Sequence, residues 1–280
     1  MVDPTCTAIR PMSVSAVVAR DIRSRLDAAE REHDVRIVHA CESGSRAWGF
    51  ASPDSDYDVR FIYVRRPEWY LSFDVERRRD VIEYPIVDEI DIGGWDMRKA
   101  LYLFTRTNGA LLEWLTGPIR YRERGPLSEG LRNLAPHVAN DIALRYHYMH
   151  LAKSNAGEHF RRGRRVRLKK YFYVLRALLA IRHVERGLGL PPVEFARLVD
   201  TVAPPPIVPP IERLLARKRA TPEIGEGEPV PELDTFIHEE LARHAEGFSG
   251  QGRPETGEGG EVRDALNELF RLALREAWTT

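Results

Sequence analysis

The sequence predicts an α+β fold in which a small sheet with flanking helices is followed by an all-helical domain. Short runs rich in β-branched and aromatic residues, which are typical of strands, lie only between residues 35 and 92. Beyond Pro126 the apolar residues recur at helical spacing, and no stretch has the pattern of a strand. Strands followed by helices favour an α+β arrangement over alternating βα units. The 280 residues are enough for about two domains, predicted over 1–125 and 126–280.

The elements of the first domain have recognisable boundaries. Apolar residues at helical spacing predict a first helix, with Ser13 or Ser15 as its N-cap. Strands are predicted over residues 35–41, 59–64, 80–84 and 86–92. Gly93-Gly94 is interpreted as a break after the last strand. Two helices are then predicted, over residues 95–105 and 108–115.

The second domain is predicted to contain helices only. Their periodicity places them at residues 138–158, 166–186, 192–200, 208–218, 231–245 and 261–277.

Composition and charge exclude several classes of protein. Lys+Arg and Asp+Glu both number 42, so no overall field draws the chain to nucleic acid or to a membrane. The two cysteines form no disulfide framework, and no Cys/His spacing indicates zinc. No apolar run is long enough to span a bilayer, and the N-terminus lacks the pattern of a secretory signal. These features predict a cytoplasmic protein without a membrane partner.

One segment combines a Gly-Ser pair with two closely spaced acids. Gly44-Ser45 is followed, after ten intervening residues, by Asp56-x-Asp58 and a β-branched run. A Gly-Ser turn presents backbone N–H groups and a hydroxyl to a phosphate. Asp56 and Asp58 are two residues apart, so on an extended segment they point to the same side. Clustered carboxylates of this kind suit Mg²⁺, which binds through carboxylates and substrate phosphates. The alternative is that this segment is an ordinary solvated turn without a binding role.

A full two-metal site needs a third carboxylate on a neighbouring strand. Asp91 is the first candidate and Glu89 the second, because strand alternation places both on one face. Asp91 would either take the proton from an attacking hydroxyl or hold the catalytic ion. The alternative role for Asp91 is to cap the following helix.

The longer pattern resembles a known family. Residues 44–49 and 54–60 are similar to the signature of DNA polymerase β superfamily nucleotidyltransferases, and in particular to the RNA-repair-associated polymerase β-like branch. Further similar blocks follow in the same order at residues 94–99, 112–115 and 169–176. The resemblance spans roughly residues 35–185. It implies a polymerase β-like nucleotidyltransferase sheet and a helical domain that completes the nucleotide and acceptor cleft.

The resemblance also implies a reaction and a set of ligands. A metal-dependent nucleotidyltransferase would move an NMP from an NTP, with ATP expected, to an acceptor hydroxyl such as an RNA end. Mg²⁺ or Mn²⁺ would bind Asp56, Asp58 and Asp91, while Gly44, Ser45 and Arg46 would contact the nucleotide. Two alternatives stay open. One is nucleotidylation of a protein or small molecule, as in aminoglycoside- or antitoxin-modifying relatives. The other is a non-catalytic nucleotide sensor or RNA-binding module.

The helical domain offers further phosphate ligands. Lys169, Tyr173 and Arg176 share one face of a predicted helix and are expected to contact the triphosphate. Lys170 is the alternative to Lys169 as the triphosphate contact. The alternative for all three residues is that they form a solvated face of the helix and bind no ligand.

The densest positive charge in the chain lies just before that helix. Phosphate contacts from its arginines would hold a polyanionic acceptor such as RNA without reading its sequence. The alternative is a solvated turn between helices. The arginines concerned are Arg161, Arg162, Arg164 and Arg165.

Overall fold

A computed structural model describes residues 14–157, 166–220, 225–247 and 259–279. The chain forms two compact units, and neither is continuous in sequence. The sheet unit comprises the described residues of Ser13–Ala47, Asp56–Val138 and Thr256–Thr280. The helical unit comprises those of Trp48–Ser55 and Ala139–Glu255. The division of the sequence at residue 125 stays a prediction.

The sheet unit is built around a five-stranded sheet. Its strands are β1 (Arg36–Ser43), β2 (Tyr57–Val64), β3 (Val81–Glu83), β4 (Ile90–Asp96) and β5 (Arg120–Glu123). They lie in the order β3-β4-β2-β1-β5, with β2 and β4 parallel and the other neighbours antiparallel. The sheet is therefore mixed, with β2 at its centre and β4 and β1 on either side of it.

Helices make up most of the remaining described structure. Those of the sheet unit are α1 (Ala16–His33), α2 (Gly44–Ala47), α3 (Pro67–Tyr70), α4 (Met97–Thr105), α5 (Gly109–Thr116) and α6 (Leu127–Val138). Those of the helical unit are α7 (Asp141–Ala156), α8 (Lys169–Glu185), α9 (Phe195–Val202), α10 (Val208–Ala220) and α11 (Pro231–Gly247). Helix α12 (Gly260–Trp278) belongs again to the sheet unit. No helix in the described ranges is long and apolar enough to cross a membrane.

The predicted α+β class is confirmed, and local signals set many of the boundaries. Helix α1 begins after Ser15, whose side chain accepts a hydrogen bond from the Val18 N–H at 3.3 Å. Its residues Ile22 and Leu26 are fully buried in the core of the sheet unit. Asn108 caps α5 in the same way by accepting from the Leu111 N–H at 3.0 Å. Caps and apolar periodicity are local, so the sequence alone indicates them.

The predicted strand over residues 86–92 exists, but its predicted start is wrong, because β4 begins only at Ile90. Asp88 and Glu89 form a turn and have φ angles of 53° and 61°. Gly93-Gly94 does not break the strand but lies inside it. A Cβ atom at Gly94 would lie 2.3 Å from the Phe61 ring, so glycine is needed there for close packing between β4 and β2.

Several elements have no counterpart in the sequence prediction. They include β5, α6, the single-turn helices α2 and α3, and a two-residue ladder between Val166–Arg167 and Glu226–Gly227, here β6 and β7. The expectation that nothing beyond Pro126 forms a strand is therefore wrong. Two paired residues are too short to show a period of two, and their pairing depends on contacts distant in sequence.

Candidate active site

The Gly-Ser turn follows directly from the end of β1. Gly44 has a φ of +60°, a conformation that L side chains rarely adopt. A Cβ at this position would lie 2.0 Å from Oδ2 of Asp58. Ser45 is buried and lies in the single turn of α2. Glycine at position 44 thus allows the chain to pass close against the carboxylate of Asp58.

Two acids face each other across the parallel strands β2 and β4. Asp58 and Asp91 are partners in the register, and Asp56 stands exposed just before β2. Burial raises the pKa of Asp58, and the charges of Asp91 and Asp56 raise it further, while Arg60 lowers it. The carboxylates of Asp91 and Asp56 therefore both act electrostatically on Asp58, as expected of acids gathered at one edge of a sheet.

Arg60 provides positive charge within this acidic group. Its guanidinium donates to Oδ2 of Asp91 at 2.6 Å and lies 3.7 Å from Oδ1 of Asp58. No group of three His, Cys, Asp or Glu in the described ranges is arranged to hold a metal ion. The chemistry of the donor set nevertheless fits a hard cation, since carboxylate oxygens are what Mg²⁺ prefers.

Glu89, the second candidate for the third acid, lies outside the strand. It is exposed in the turn before β4, and its carbonyl oxygen accepts a hydrogen bond from the Tyr57 N–H at 2.7 Å. The sequence argument that Glu89 and Asp91 share a strand face is wrong for Glu89, because β4 starts one residue later. The register brings Asp91, and not Glu89, opposite Asp58.

A buried glutamate, Glu42, accepts a hydrogen bond from the backbone of Asp58. It was not among the site residues predicted from the sequence. Glu42 on β1 is 1% exposed, and its Oε1 accepts from the Asp58 N–H at 3.0 Å. Its Oε2 accepts from the Tyr121 hydroxyl on β5. Burial raises the pKa of Glu42 to about 7. The available signal was an acid two residues before the Gly-Ser turn, in a segment predicted to lead from a strand into that turn.

Arg46 lies beneath the backbone that leads into β2. It is 4% exposed, its Nε donates to the carbonyl of Asp56 at 3.2 Å, and its guanidinium lies 3.9 Å from the centre of the Tyr57 ring. These contacts hold the Asp56–Tyr57 segment. The predicted contact of Arg46 with a nucleotide stays a prediction.

Two of the helical-unit residues predicted to bind nucleotide, Tyr173 and Arg176, lie beside Trp48. The Tyr173 ring lies 5.4 Å from that of Trp48, and the Arg176 guanidinium lies 4.5 Å from the Trp48 ring centre. Arg176 is buried and donates to the Val193 carbonyl at 3.2 Å. Lys169 is half-buried at the first position of α8. The structure brings these three residues together in one unit, and their nucleotide contacts stay predictions.

The predicted RNA contacts at Arg161, Arg162, Arg164 and Arg165 lie outside the described residues.

The structure thus combines a mixed sheet with a Gly-Ser turn that lies against the carboxylate of Asp58. The chain belongs to the RNA repair pathway DNA polymerase beta family (RlaP), whose profile matches residues 18–271. Over 258 residues it is 42% identical to the uncharacterized protein YcgL of Bacillus subtilis (strain 168). The aligned part covers 92% of this chain and 96% of that protein.

A solved structure of a nucleotidyltransferase-like protein from Exiguobacterium sibiricum is a more distant match. It shares 13% sequence identity and covers 91% of this chain and 74% of its own length. The TM-score is 0.29, and a likeness this weak supports no conclusion.

Proposed function

We propose that the protein transfers a nucleoside monophosphate from an NTP, with ATP as the expected donor, to a hydroxyl at an RNA end. The acceptor oxygen forms a bond to the α-phosphorus, the bond to the bridging oxygen breaks, and pyrophosphate leaves. The register of Asp58 against Asp91, with Asp56 just before β2, carries this proposal. The family's description as an RNA repair pathway family supports RNA as the acceptor.

Each acid has a defined part in this proposal. Asp56, Asp58 and Asp91 would hold Mg²⁺ or Mn²⁺, which lowers the pKa of the attacking hydroxyl and offsets charge on the phosphoryl oxygens. Asp91 lies on the strand beside Asp58 and would accept the hydroxyl proton. Gly44 allows the chain to pass close to Asp58, because any residue with a Cβ atom at position 44 would collide with that carboxylate.

Several residues are proposed to contact the nucleotide. The Ser45 hydroxyl and the adjacent backbone would bind the terminal phosphates. Lys169 and Tyr173 would contribute further polar contacts, while Arg46 and Arg176 would act mainly by packing, because both guanidinium groups lie on aromatic rings. Catalysis of this kind relies on positioning and electrostatics rather than on covalent intermediates.

The direct test is incubation with labelled NTPs, Mg²⁺ and a panel of acceptors. The panel contains RNAs with 3′-hydroxyl, 3′-phosphate and 5′-phosphate ends, a protein mixture and aminoglycosides. We expect label on the RNA with a free hydroxyl, and the same RNA with all terminal hydroxyls blocked is the control. Label on protein or aminoglycoside alone would identify the other acceptor class. Nucleotide binding with no incorporation across the panel would identify a sensor.

The acceptor proposal predicts a specific effect of the basic segment. Replacing Arg161, Arg162, Arg164 and Arg165 with serine should weaken RNA binding and flatten its salt dependence. Each lost phosphate contact removes about 0.7–0.9 from the slope of log K against log salt. NTP affinity should change much less. Fluorescence anisotropy at several salt concentrations measures the slope. An unchanged slope in the quadruple variant would remove the main sequence-based argument for RNA as the acceptor.

The Glu42–Tyr121 pair should affect catalysis through Asp58. We expect Glu42→Ala to lower kcat by about 10–100-fold, the range typical of groups that orient a metal ligand. Tyr121→Phe keeps the ring and should cost less. Steady-state kinetics will separate the effects, since a positioning role lowers kcat with little change in the KM for the NTP. Glu30→Ala is the matched control for lost stability. It removes another buried hydrogen bond to β1, the one that the Ile37 N–H donates to the Glu30 carboxylate. Equal kcat losses in both variants would indicate general destabilisation.

A further inference from the structure

Arg60 on β2 contacts both of the acids that face each other in the site. Its Nη2 donates to Oδ2 of Asp91 at 2.6 Å, and the same nitrogen lies 3.7 Å from Oδ1 of Asp58. The Arg60 side chain is 24% exposed, so water screens these contacts only in part. Arg60 was not among the site residues predicted from the sequence.

The guanidinium holds Asp91 at two points. Besides its bond to the carboxylate, it donates through Nη1 to the backbone carbonyl of Asp91 at 3.1 Å and to that of Val59 at 2.9 Å. A planar fork that binds a side chain and its own backbone restricts the rotamer of that side chain. Within the described ranges, no hydrogen bond reaches Oδ1, the other carboxylate oxygen of Asp91. Arg60 thus orients Asp91 and leaves one carboxylate oxygen for a ligand.

The pairing of β2 with β4 explains how Arg60 reaches Asp91. Arg60 is the register partner of Gly93, which lies two residues beyond Asp91 on the same face of β4. A Cβ atom at position 93 would lie 4.0 Å from Nη1, already in van der Waals contact. Because Gly93 has no side chain, the arginine can extend along this face of the sheet toward Asp91.

The charge of Arg60 acts on a pair of carboxylates that repel each other. Asp58 and Asp91 both lie within 4 Å of the same guanidinium nitrogen, at 3.7 and 2.6 Å. A positive group beside two like charges offsets their repulsion. A divalent cation bound by the same two acids would have the same effect. Removal of Arg60 should therefore change how strongly the site binds such a cation.

We propose that Arg60 is a positioning residue for nucleotidyl transfer, an inference that rests on the proposed function. Its fork sets the Asp91 carboxylate opposite Asp58, and its charge stabilises the two acids before a metal ion binds. A purely structural ion pair would contribute to the stability of the fold and would not act on the chemical step. The two roles of Arg60, orientation and charge, can be separated because lysine keeps the charge but lacks the fork.

The first measurement is the affinity for Mn²⁺, which needs no turnover and is obtained from electron paramagnetic resonance of the free ion. It compares the wild type with Arg60→Met, Arg60→Lys and Arg66→Met. Arg66 follows the far end of β2 and binds the exposed Asp34 through two nitrogens, at 2.5 and 2.9 Å, so it is the matched control. We expect Arg60→Met to bind Mn²⁺ about tenfold more tightly than the wild type, because no guanidinium then repels the ion. The other two variants should bind Mn²⁺ as the wild type does.

The kinetic effect should go in the opposite direction. We expect Arg60→Met to lower kcat by about 10–100-fold with little change in the KM for the NTP, since Asp91 loses its orientation. Arg60→Lys should have a kcat between those of the wild type and Arg60→Met, and Arg66→Met should match the wild type. Tighter metal binding combined with slower transfer is a result that a simple loss of stability does not produce.

The outcomes separate this role from the proposed function. Wild-type kcat in Arg60→Met overturns the positioning role even where nucleotide transfer proceeds. Unchanged or weaker Mn²⁺ binding by Arg60→Met also overturns it, and so does a wild type that binds no Mn²⁺. Tighter Mn²⁺ binding by Arg60→Met in a protein that transfers no nucleotide supports the place of Arg60 at a metal site and contradicts the function. If Arg60→Met does not fold, Arg60→Lys decides, since a lowered kcat at wild-type Mn²⁺ affinity supports the role and a wild-type kcat overturns it.

Discussion

Replacing Asp58 with asparagine is expected to abolish nucleotide transfer and to leave the fold intact. Asp58 combines the contacts that define the site, because it packs against Gly44, faces Asp91 across β2 and β4, and receives support from Glu42 through its backbone N–H. Loss of the carboxylate should lower kcat by at least about 10²–10³-fold, as removal of one preorganised electrostatic group does in other enzymes. Asp56→Asn should have a similar effect.

The same substitution should not weaken the metal-free fold. Burial raises the pKa of Asp58, so its charged form is less favourable in the folded chain than in the unfolded chain. Its contribution to stability is therefore fully present at acid pH and is lost as pH rises through the raised pKa. At neutral pH in chelator, Asp58→Asn should melt at or above the wild-type temperature. Thermal denaturation and single-turnover kinetics check both points.

Asp88→Asn is the matched control. Asp88 is an exposed acid in the turn before β4, and asparagine tolerates its positive φ. This variant should transfer nucleotide at the wild-type rate. Wild-type turnover by Asp58→Asn would refute the proposed site.

Removal of divalent metal is expected to eliminate activity completely and reversibly. Excess EDTA should stop nucleotide transfer, and Mg²⁺ or Mn²⁺ added beyond the chelator should restore it. Ca²⁺ should bind but support little transfer, because it accepts looser geometry than the octahedron of Mg²⁺. Activity assays with each metal measure the effect, and full turnover in EDTA would contradict the metal-dependent mechanism.

Metal binding can also be followed without turnover. A cation that binds only the folded chain raises its melting temperature. The increase should be largest where the cation offsets the repulsion between neighbouring carboxylates. Mg²⁺ should stabilise the wild type, and it should have little effect on Asp58→Asn. Equal stabilisation of the two proteins would place the bound metal away from Asp58.

Local patterns account for most of the helices. The cap at Ser15, the cap at Asn108 and the apolar spacing within α8 depend on residues within one or two turns of each other. Strand β4 was misplaced because Val87-Asp88-Glu89 continues an alternating pattern, whereas the chain turns there with two positive φ angles. Gly94 was misinterpreted as a strand break. Glycine is needed at this position because the Phe61 ring on another strand leaves no room for a Cβ atom.

Gly44, Ser45, Asp56 and Asp58 could be named as candidate site residues from the sequence, because they lie within fifteen positions of one another and short spacings are visible in a single sequence. The choice between Asp91 and Glu89 depended on the parallel register of β2 and β4, which brings Asp91 opposite Asp58. The bond from Tyr121 to Glu42 joins residues 79 positions apart. Such contacts arise only when strands pair and helices pack, because burial and partners are properties of the folded chain and not of the order of its residues.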